Sequence, residues 1–471
     1  MKDSRDMQRP QKTSYEGYPT EIELEVRDRK EACSIPPASS IAKARVQVDT
    51  VNLLEQILHR DNLNRAYKKV KKNKGSHGID GMQVDELLPF LKQHGEALIE
   101  EIAMEKYKPQ PVRRVEIPKP NGGVRLLGIP TVVDRFIQQA IAQVLIKVYD
   151  KEFSKNSYGF RPGRNAHMAV KKAKEYINEG YTWVVDIDLE KFFDRVNHDV
   201  LMSILAKKIK DKRVLRLIRK YLESGVMIGG LYTKTEKGTP QGGPISPLLS
   251  NILLDILDKE LEARGHKFVR YADDCNIYVK SQRAGERVMK SITKFLEKRL
   301  KLKVNKEKSA VDRPWKRKFL GFSFYFKGDE VGIRPHEKSI KRLKDKIREI
   351  TNRNIGISME IRIERLNSLV VGWVNYFKIA NMKAKLKEID KWTRRRLRAC
   401  LWKQWKKIKT KFKNLKTLGI PEYKAWQYAN TRKGYWRISN SPILSKTLNN
   451  QYWLNQGLKT LSMQYRKLNL T

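Results

Sequence analysis

Two adjacent carboxylates, Asp273 and Asp274, lie between two apolar runs in the segment 267–279. This pattern predicts a β-hairpin with both acids at its tip. Because neighbouring like charges repel, the arrangement is favourable where a strong cation lies among them. Mg²⁺ used for phosphoryl transfer is the chemistry that such a tip suits. An isolated Asp-Asp pair is more often an ordinary acidic turn, so the rest of the chain must decide.

Metal-assisted transfer of a nucleotidyl group needs at least one more carboxylate at the same point. The segment 183–194 offers two, because Asp186 and Asp188 share one face of a β-strand by alternation. An unpaired carboxylate is costly in a core strand, so a run of Val and Ile that ends in acid indicates a functional position. For one of the two acids, a strand end that caps the next helix is an equally good interpretation.

The hairpin and this strand belong to a region, about 113–326, where short β-rich runs alternate with helical ones. The mixture predicts an α+β domain with a mostly antiparallel sheet. Before this region, the spacing of apolar residues in 51–112 predicts helices, which a glycine-rich loop at 74–81 interrupts. Residues 1–50 are polar and mixed in charge, which predicts a flexible extension that folds, if at all, on binding.

Amphipathic helices are predicted from about Lys338 onward, because apolar residues recur there at helical spacing. One of these helices, at about 389–408, carries a cluster of arginines. The cluster consists of Arg394, Arg395, Arg396 and Arg398. Since all four cannot point inward, we expect some of them to contact nucleic-acid phosphates without reading sequence. The tail from Gly419 onward is basic and aromatic.

The chain of 471 residues has 98 Lys and Arg against 52 Asp and Glu, a formal net charge of +46. This excess predicts a polyanionic partner, and the 42 aromatic side chains (9 Trp, 19 Tyr, 14 Phe) offer stacking surfaces, so nucleic acid is the first expectation. The three cysteines and seven histidines are scattered, which argues against a zinc site. No membrane-spanning run or signal peptide is found, so a soluble, cytoplasmic protein is predicted.

Seven collinear blocks resemble those of group II intron-encoded reverse transcriptase/maturases. Tyr271-Ala-Asp-Asp274 is similar to the catalytic box of reverse transcriptases, and the segment 188–194 is similar to the box that carries their third acid. The other blocks lie at 117–130, 157–167, 238–247, 302–309 and 319–322. The resemblance covers nearly everything from about Val51 onward. It implies a right-hand polymerase, with fingers and an antiparallel palm sheet, an α-helical thumb and a small basic C-terminal domain.

Within this fold the resemblance implies helices of the N-terminal extension and fingers at 51–112 and the fingers and palm at 113–336. It implies a thumb, the maturase domain X, at 337–416 and a basic DNA-binding segment at 417–471. The Cys/His-rich endonuclease module of longer family members is not found in the sequence. We therefore expect the primer to come from elsewhere, for example from single-stranded or replicating DNA.

The resemblance also implies that Asp188, Asp273 and Asp274 hold two Mg²⁺ ions, with Asp186 as a neighbour. One ion would lower the pKa of the primer 3′-hydroxyl, and the other would neutralise the triphosphate and the departing pyrophosphate. The partners implied are deoxynucleoside triphosphates, an RNA template, a DNA primer or target and the parent intron RNA, in the cytosol of a bacterium.

Five further residues match positions of the family's nucleotide site. Lys119 and Arg125 flank a Pro-Asn-Gly-Gly turn and correspond to cations that grip the triphosphate. The resemblance further implies that Gln241 borders the nucleotide, that Phe193 excludes a ribose 2′-hydroxyl and that Lys308 protonates the departing pyrophosphate. The structural alternatives are surface charge for Lys119 and Arg125, a conformational turn for Gln241 and a core aromatic residue for Phe193.

The function predicted from the sequence is RNA-directed DNA synthesis, together with binding of the intron RNA to promote its splicing and retrohoming. Two alternatives differ from it in class. One is an RNA-binding maturase with incidental polymerase activity, which would tolerate loss of the acids. The other is a domesticated reverse transcriptase in host defence or repair, which the absence of intron RNA structure in the flanking DNA would indicate.

Overall fold

The computed structural model describes residues 50–118, 123–228, 231–233, 237–239 and 242–470. The chain divides into two compact units, with the boundary between Arg334 and Pro335. In the described ranges, no helix combines the length and apolar character needed to cross a lipid bilayer.

The first unit mixes strands and helices. Its strands are β1 (Val112–Pro118), β2 (Val124–Ile129), β3 (Trp183–Ile187), β4 (Val226–Ile228), β5 (Leu231–Thr233), β6 (Lys267–Tyr271), β7 (Asp274–Val279), β8 (Ala310–Asp312), β9 (Phe322–Lys327) and β10 (Glu330–Pro335). Its helices are α1 (Leu53–Leu58), α2 (Arg60–Asn73), α3 (Leu87–Ala103), α4 (Val132–Tyr149), α5 (Ala166–Asn178), α6 (Phe192–Arg195), α7 (His198–Lys208), α8 (Lys212–Glu223), α9 (Ser246–Ala263) and α10 (Gln282–Arg299).

Polar side chains fix where several of these helices begin. Each cap accepts a hydrogen bond from a backbone N–H of the first turn, which satisfies a donor that has no partner inside the helix. The caps of α4, α5, α7 and α10 are Thr131, Asn165, Asn197 and Ser281.

The central sheet has the strand order β6-β7-β3-β8, and all of its neighbouring strands are antiparallel. Helix α10 packs against β3, β7 and β8, while α5 and α9 pack against β6. Val185 and Ile277 pair across β3 and β7 and are buried. The antiparallel sheet predicted from the alternation of strand and helix patterns is therefore observed.

A second sheet, of order β2-β1-β4-β5, carries the 117–130 block. In it β1 is antiparallel to β2 and parallel to β4. Strands β9 and β10 form a separate pair. A single hydrophobic cluster extends from Leu53 in α1 to Val304, so the N-terminal helices share a core with the helices that cover the central sheet.

The second unit is helical in its described residues. Its helices are α11 (Glu337–Ile350), α12 (Met359–Phe377), α13 (Lys383–Gln404), α14 (Ile408–Thr417), α15 (Glu422–Ala429), α16 (Tyr435–Ile438), α17 (Pro442–Thr447), α18 (Asn450–Asn455) and α19 (Leu461–Asn469). Leu343, Ile347 and Val370, which the periodicity assigns to apolar faces, are buried. The helix predicted at 389–408 begins earlier and ends earlier than expected.

The arginine cluster of α13 mainly holds this unit together. Arg398 is buried and donates from Nε to the carbonyl of Ser439 at 2.7 Å, and burial lowers its pKa to about 10. Arg396 donates to Thr351 Oγ1 at 2.6 Å, and Arg394 is half-buried. Arg398 is therefore one of the arginines that point inward, because its guanidinium is bound by backbone carbonyls inside the fold. That other members of the cluster contact nucleic acid stays a prediction.

Candidate active site

The hairpin predicted around the paired acids is formed by β6 and β7. Tyr271 pairs with Asp274, so Ala272 and Asp273 make a two-residue turn. Ala272 has φ +56°, a left-handed conformation that costs a residue with a side chain about 1–2 kcal/mol but that tight hairpin turns require. The two acids therefore occupy the tip, with Asp273 in the turn and Asp274 as the first residue of β7.

The strand that carries the third acid is the direct neighbour of this hairpin. Ile187 of β3 pairs with Cys275 of β7, and continuing the register by one residue places Asp188 opposite Asp274. Opposite residues of antiparallel strands have Cβ atoms about 4.5–5.5 Å apart. The chain thus brings together acids that are distant in sequence.

These acids act on one another electrostatically. Burial raises the pKa of Asp274 to about 8, and the charges of Asp186, Asp273 and Asp188 add to the shift, while Lys318 opposes it. A site whose carboxylates repel each other in this way gains most from a cation.

Asp186 and Asp188, which the sequence left as alternatives, are in different environments. The carboxylate of Asp186 accepts hydrogen bonds from Arg317 Nε at 2.9 Å and Nη2 at 2.5 Å, and burial raises its pKa against the effect of this arginine. The side chain of Asp188 is 43% exposed and lies 3.9 Å from Lys308 Nζ. Because Asp186 already has a guanidinium partner, Asp188 is the better candidate for a ligand of an external cation.

The chemistry of this donor set fits a hard divalent cation, since carboxylate oxygens are the ligands that Mg²⁺ takes from proteins. The side chains are nevertheless not arranged as a closed metal site. Among the described residues, no three His, Cys, Asp or Glu side chains are grouped closely enough to hold a metal ion. The metal-binding role of Asp188, Asp273 and Asp274 stays a prediction, which their adjacency and mutual repulsion support.

The 302–309 block holds the main chain of Asp188. The amide of Asp188 donates to Ser309 Oγ at 3.0 Å, and the amide of Asn305 donates to the carbonyl of Asp188 at 2.8 Å. Lys308 belongs to the same loop, which accounts for its position beside the acid. The role of Lys308 toward pyrophosphate stays a prediction.

Arg270 was not among the residues singled out from the sequence, yet it supports the hairpin. Its side chain is completely buried and donates to the Asp258 carboxylate at 2.7 and 2.5 Å. It also donates to Asn251 Oδ1 at 3.0 Å, to the carbonyl of Ala272 at 2.8 Å and to Ser157 Oγ at 2.9 Å. A charged residue inside an otherwise apolar strand was the signal that could have indicated Arg270. A buried charge needs partners, so such a residue is expected to form specific contacts.

The 157–167 block lies against the same turn. A Cβ atom on Gly159 would lie 2.3 Å from the backbone nitrogen of Ala272, so only glycine allows this approach. Asn251 Nδ2 donates to the carbonyl of Gly159 at 2.8 Å, and the amide of Tyr158 donates to the carbonyl of Arg270 at 2.9 Å. The block therefore positions the hairpin that carries Asp273 and Asp274.

Phe193, which is predicted to exclude a ribose 2′-hydroxyl, is held through its backbone by the 238–247 block. The amide of Thr239 donates to the carbonyl of Phe193 at 2.7 Å. Gly238 has φ +98°, and a Cβ atom there would lie 2.8 Å from the same carbonyl. The ring of Phe193 is half-buried and meets Phe192 edge-on at 5.2 Å.

Three predicted nucleotide-site residues are not placed. Lys119 and Gln241 lie outside the described residues. The backbone of Arg125 lies in β2, paired with Ile117, and its side chain is outside the described part of the structure. Their roles stay predictions.

Comparison with known proteins connects this geometry to a family. Residues 117–324 match the family described as "Reverse transcriptase (RNA-dependent DNA polymerase)". Residues 340–419 match "Group II intron, maturase-specific domain".

Individual proteins are also similar to this chain. Protein YkfC of Escherichia coli (strain K12) is 33% identical over 299 residues, which cover 55% of this chain and 78% of YkfC. Group II intron-encoded protein LtrA of Lactococcus lactis subsp. cremoris is 38% identical over 219 residues, or 46% of this chain and 36% of LtrA. A chain of a solved partial Cas6-RT-Cas1–Cas2 complex matches 52% of this chain and 42% of its own length, with 27% identity and a TM-score of 0.35.

An antiparallel sheet with carboxylates at its hairpin, followed by helices that match a maturase domain, defines the class: a right-hand polymerase that is an RNA-directed DNA polymerase. The chain belongs to the family of group II intron-encoded reverse transcriptase/maturases. The α+β fold with a helical thumb, expected from the resemblance of the motifs, is confirmed.

Proposed function

We propose that this chain extends a DNA primer on an RNA template at Asp188, Asp273 and Asp274, with two Mg²⁺ ions. The observation that supports the proposal most directly is the pairing of Ile187 in β3 with Cys275 in β7, because Asp188 and Asp274 are the next residues along the two segments, beside the turn that carries Asp273. When bound, the ions would activate the primer 3′-hydroxyl and neutralise charge on the triphosphate. Catalysis by the chain itself is then positioning and electrostatics.

The neighbouring side chains have defined tasks in this proposal. Lys308 is 65% exposed and 3.9 Å from Asp188, so its ammonium can reach the oxygens of departing pyrophosphate while it stays beside the acid. The backbone of Phe193 is anchored by a hydrogen bond, and a ribose 2′-hydroxyl would collide with its ring. Lys119, Arg125 and Gln241 complete the proposed site for the deoxynucleoside triphosphate.

Primer extension on an RNA template in the presence of Mg²⁺ tests the proposal. The double substitution Asp273→Asn, Asp274→Asn removes two carboxylates with little change in volume and should abolish extension. Asp329→Asn is the matched control, because it removes an exposed carboxylate from the β9–β10 turn of the same unit. Normal extension by the double variant would refute the site.

A second activity is proposed on a separate observation, the match of residues 340–419 to the maturase-specific domain. We infer that the second unit binds the parent intron RNA and promotes its splicing, and that synthesis and RNA binding together support retrohoming. A splicing assay on precursor RNA from the DNA that flanks the coding sequence tests this role. Splicing that survives in the Asp273→Asn, Asp274→Asn variant would separate RNA binding from polymerisation.

A further inference from the structure

A cavity of about 410 Å³ opens within the second unit, among α11, the segment that follows it, α13 and α16. This volume is within the range of about 300–1,000 Å³ that is typical of pockets for small ligands. Its lining combines cationic, indole and amide side chains. Those on which the inference depends are Arg348, Arg353, Arg396, Trp392, Trp436 and Asn352.

The cavity is suited to an anion. None of its lining residues is acidic, and Arg396 has only neutral oxygen atoms as hydrogen-bond partners, chiefly Thr351 Oγ1. Arg348 pairs with Asp345, which does not line the cavity. Arg353 is exposed and makes no hydrogen bond or ion pair with any described residue. Burial lowers the pKa of Arg396, and the charges of Arg348 and Arg353 lower it further.

The two indoles provide flat surfaces beside these cations. The guanidinium groups of Arg348 and Arg396 lie 5.5 and 5.3 Å from the ring centre of Trp392. Trp436 is 40% exposed, although Arg395 lies 3.9 Å from its ring centre. Exposed aromatic rings next to arginines are the usual platform for an unstacked nucleobase.

Amide groups at the mouth add hydrogen-bonding capacity. Asn352 Oδ1 accepts from the amide of Asn354 at 2.9 Å, and Asn354 Oδ1 accepts from Lys403 Nζ at 2.7 Å. Both acceptors are therefore used, while the Nδ2 groups have no partner among the described residues. Donors in this position suit the acceptor atoms of a base edge.

We propose that the cavity binds one unstacked nucleotide of an RNA strand, with its base against the indoles and its phosphate among the guanidinium groups. The inference rests on the RNA-binding part of the proposed function and adds to it the feature recognised, which is an extruded base rather than a duplex. A continuous duplex keeps its bases stacked and offers the cavity only phosphates.

Two RNA hairpins test the proposal with the full chain. One has a single unpaired 5-iodouridine in its stem, and the other is fully paired. Arg353→Glu and Trp436→Ala should each weaken binding of the bulged hairpin by about tenfold, the effect of one lost base stack or its phosphate contact. Trp436→Phe should restore most of the affinity. Arg365→Glu, an exposed arginine of α12 outside the cavity, is the matched control for charge.

The supporting result is a loss specific to the bulged hairpin in the cavity variants, with photocrosslinks of the iodinated base at Trp392 or Trp436. Equal losses for both hairpins, or crosslinks outside the cavity, would overturn the proposal. If Trp436→Ala unfolds in a thermal scan, the Arg353 and Arg365 variants decide the question. Primer extension on an unstructured template is measured in parallel, because its failure in the wild-type chain would count against the polymerase alone.

Discussion

Arg270 and Asp258 form an ion pair in which neither side chain has any exposed surface, with Nη2 and Oδ2 2.5 Å apart. The arginine belongs to β6 and the aspartate to α9, so the pair ties the hairpin to a helix. Another N–H group of the same guanidinium holds the carbonyl of Ala272, which directly precedes Asp273. The position of the turn that carries Asp273 therefore depends on a buried residue outside the turn.

Two substitutions of Arg270 should separate its contribution to stability from its contribution to activity. Arg270→Met leaves the Asp258 charge buried and should cost about 3–5 kcal/mol in the free energy of unfolding, measured by urea denaturation. Arg270→Lys keeps the charge, but its three donors cannot replace the five hydrogen bonds that the planar guanidinium fork of Arg270 makes. We expect it to remain folded and to extend primers at a reduced kcat, and an unchanged kcat would show that the fork is dispensable.

Gly159→Ala should impair synthesis, because the added Cβ would lie 2.3 Å from the backbone of Ala272 and the turn must move. Primer extension measures the effect. Gly95→Ala is the control: it lies in α3, where the nearest atom to an added Cβ is 4.0 Å away, and it should stabilise the unit by about 0.5–1 kcal/mol. Equal activity of the two variants would contradict the tight packing.

The two acids of the β3 segment should respond differently to neutralisation. Asp188→Asn should abolish primer extension, since it removes a proposed ligand of the metal ions. Asp186→Asn should retain measurable extension but lower the free energy of unfolding, because it leaves Arg317 without its carboxylate. Comparing both variants by extension and urea denaturation tests the assignment, and the reverse order of activities would exchange the roles of Asp186 and Asp188.

Metal affinity should depend on pH through Asp274. Its pKa is raised to about 8 in the metal-free chain, so below that pH the proton competes with a metal ion. The affinity for Mn²⁺, a probe for Mg²⁺, should therefore rise between about pH 6.5 and pH 8.5 and level off above, as a ligand that must be deprotonated requires. Electron paramagnetic resonance titration measures it, and Asp274→Asn should show a flatter profile.

Phe193 should control sugar selection. Phe193→Ala removes the proposed obstacle to a 2′-hydroxyl, so the ratio of ribonucleotide to deoxyribonucleotide incorporation should rise by about 10- to 100-fold. Single-nucleotide extension with each triphosphate measures this ratio. Phe326→Ala, at an exposed position of β9, should leave it unchanged. An unaltered ratio in Phe193→Ala would make the ring a structural residue.

The sequence predicted the features that local patterns encode. The alternation around Asp273 predicted the hairpin, and helical spacing placed Leu343 and Ile347 in a buried seam. Both follow from short-range periodicity, which the fold preserves.

Contacts between distant segments were not predictable in the same way. The pairing of Asp186 with Arg317 joins β3 to the segment between β8 and β9, so the choice between Asp186 and Asp188 depended on the resemblance until this contact was seen. Likewise, Arg398 carries the same charge as its neighbours, and only the packing against Ser439 distinguishes it. Composition specifies how many charged residues are present but not which of them are bound to partners inside the fold.

The loop that bears Lys308 is hydrogen-bonded to the main chain of Asp188. These two bonds tie the backbone of the loop to the end of β3, so a displacement of one strand end displaces the other segment as well. In the proposed mechanism they would keep the proton donor and the cation ligand at one spacing from one nucleotide addition to the next.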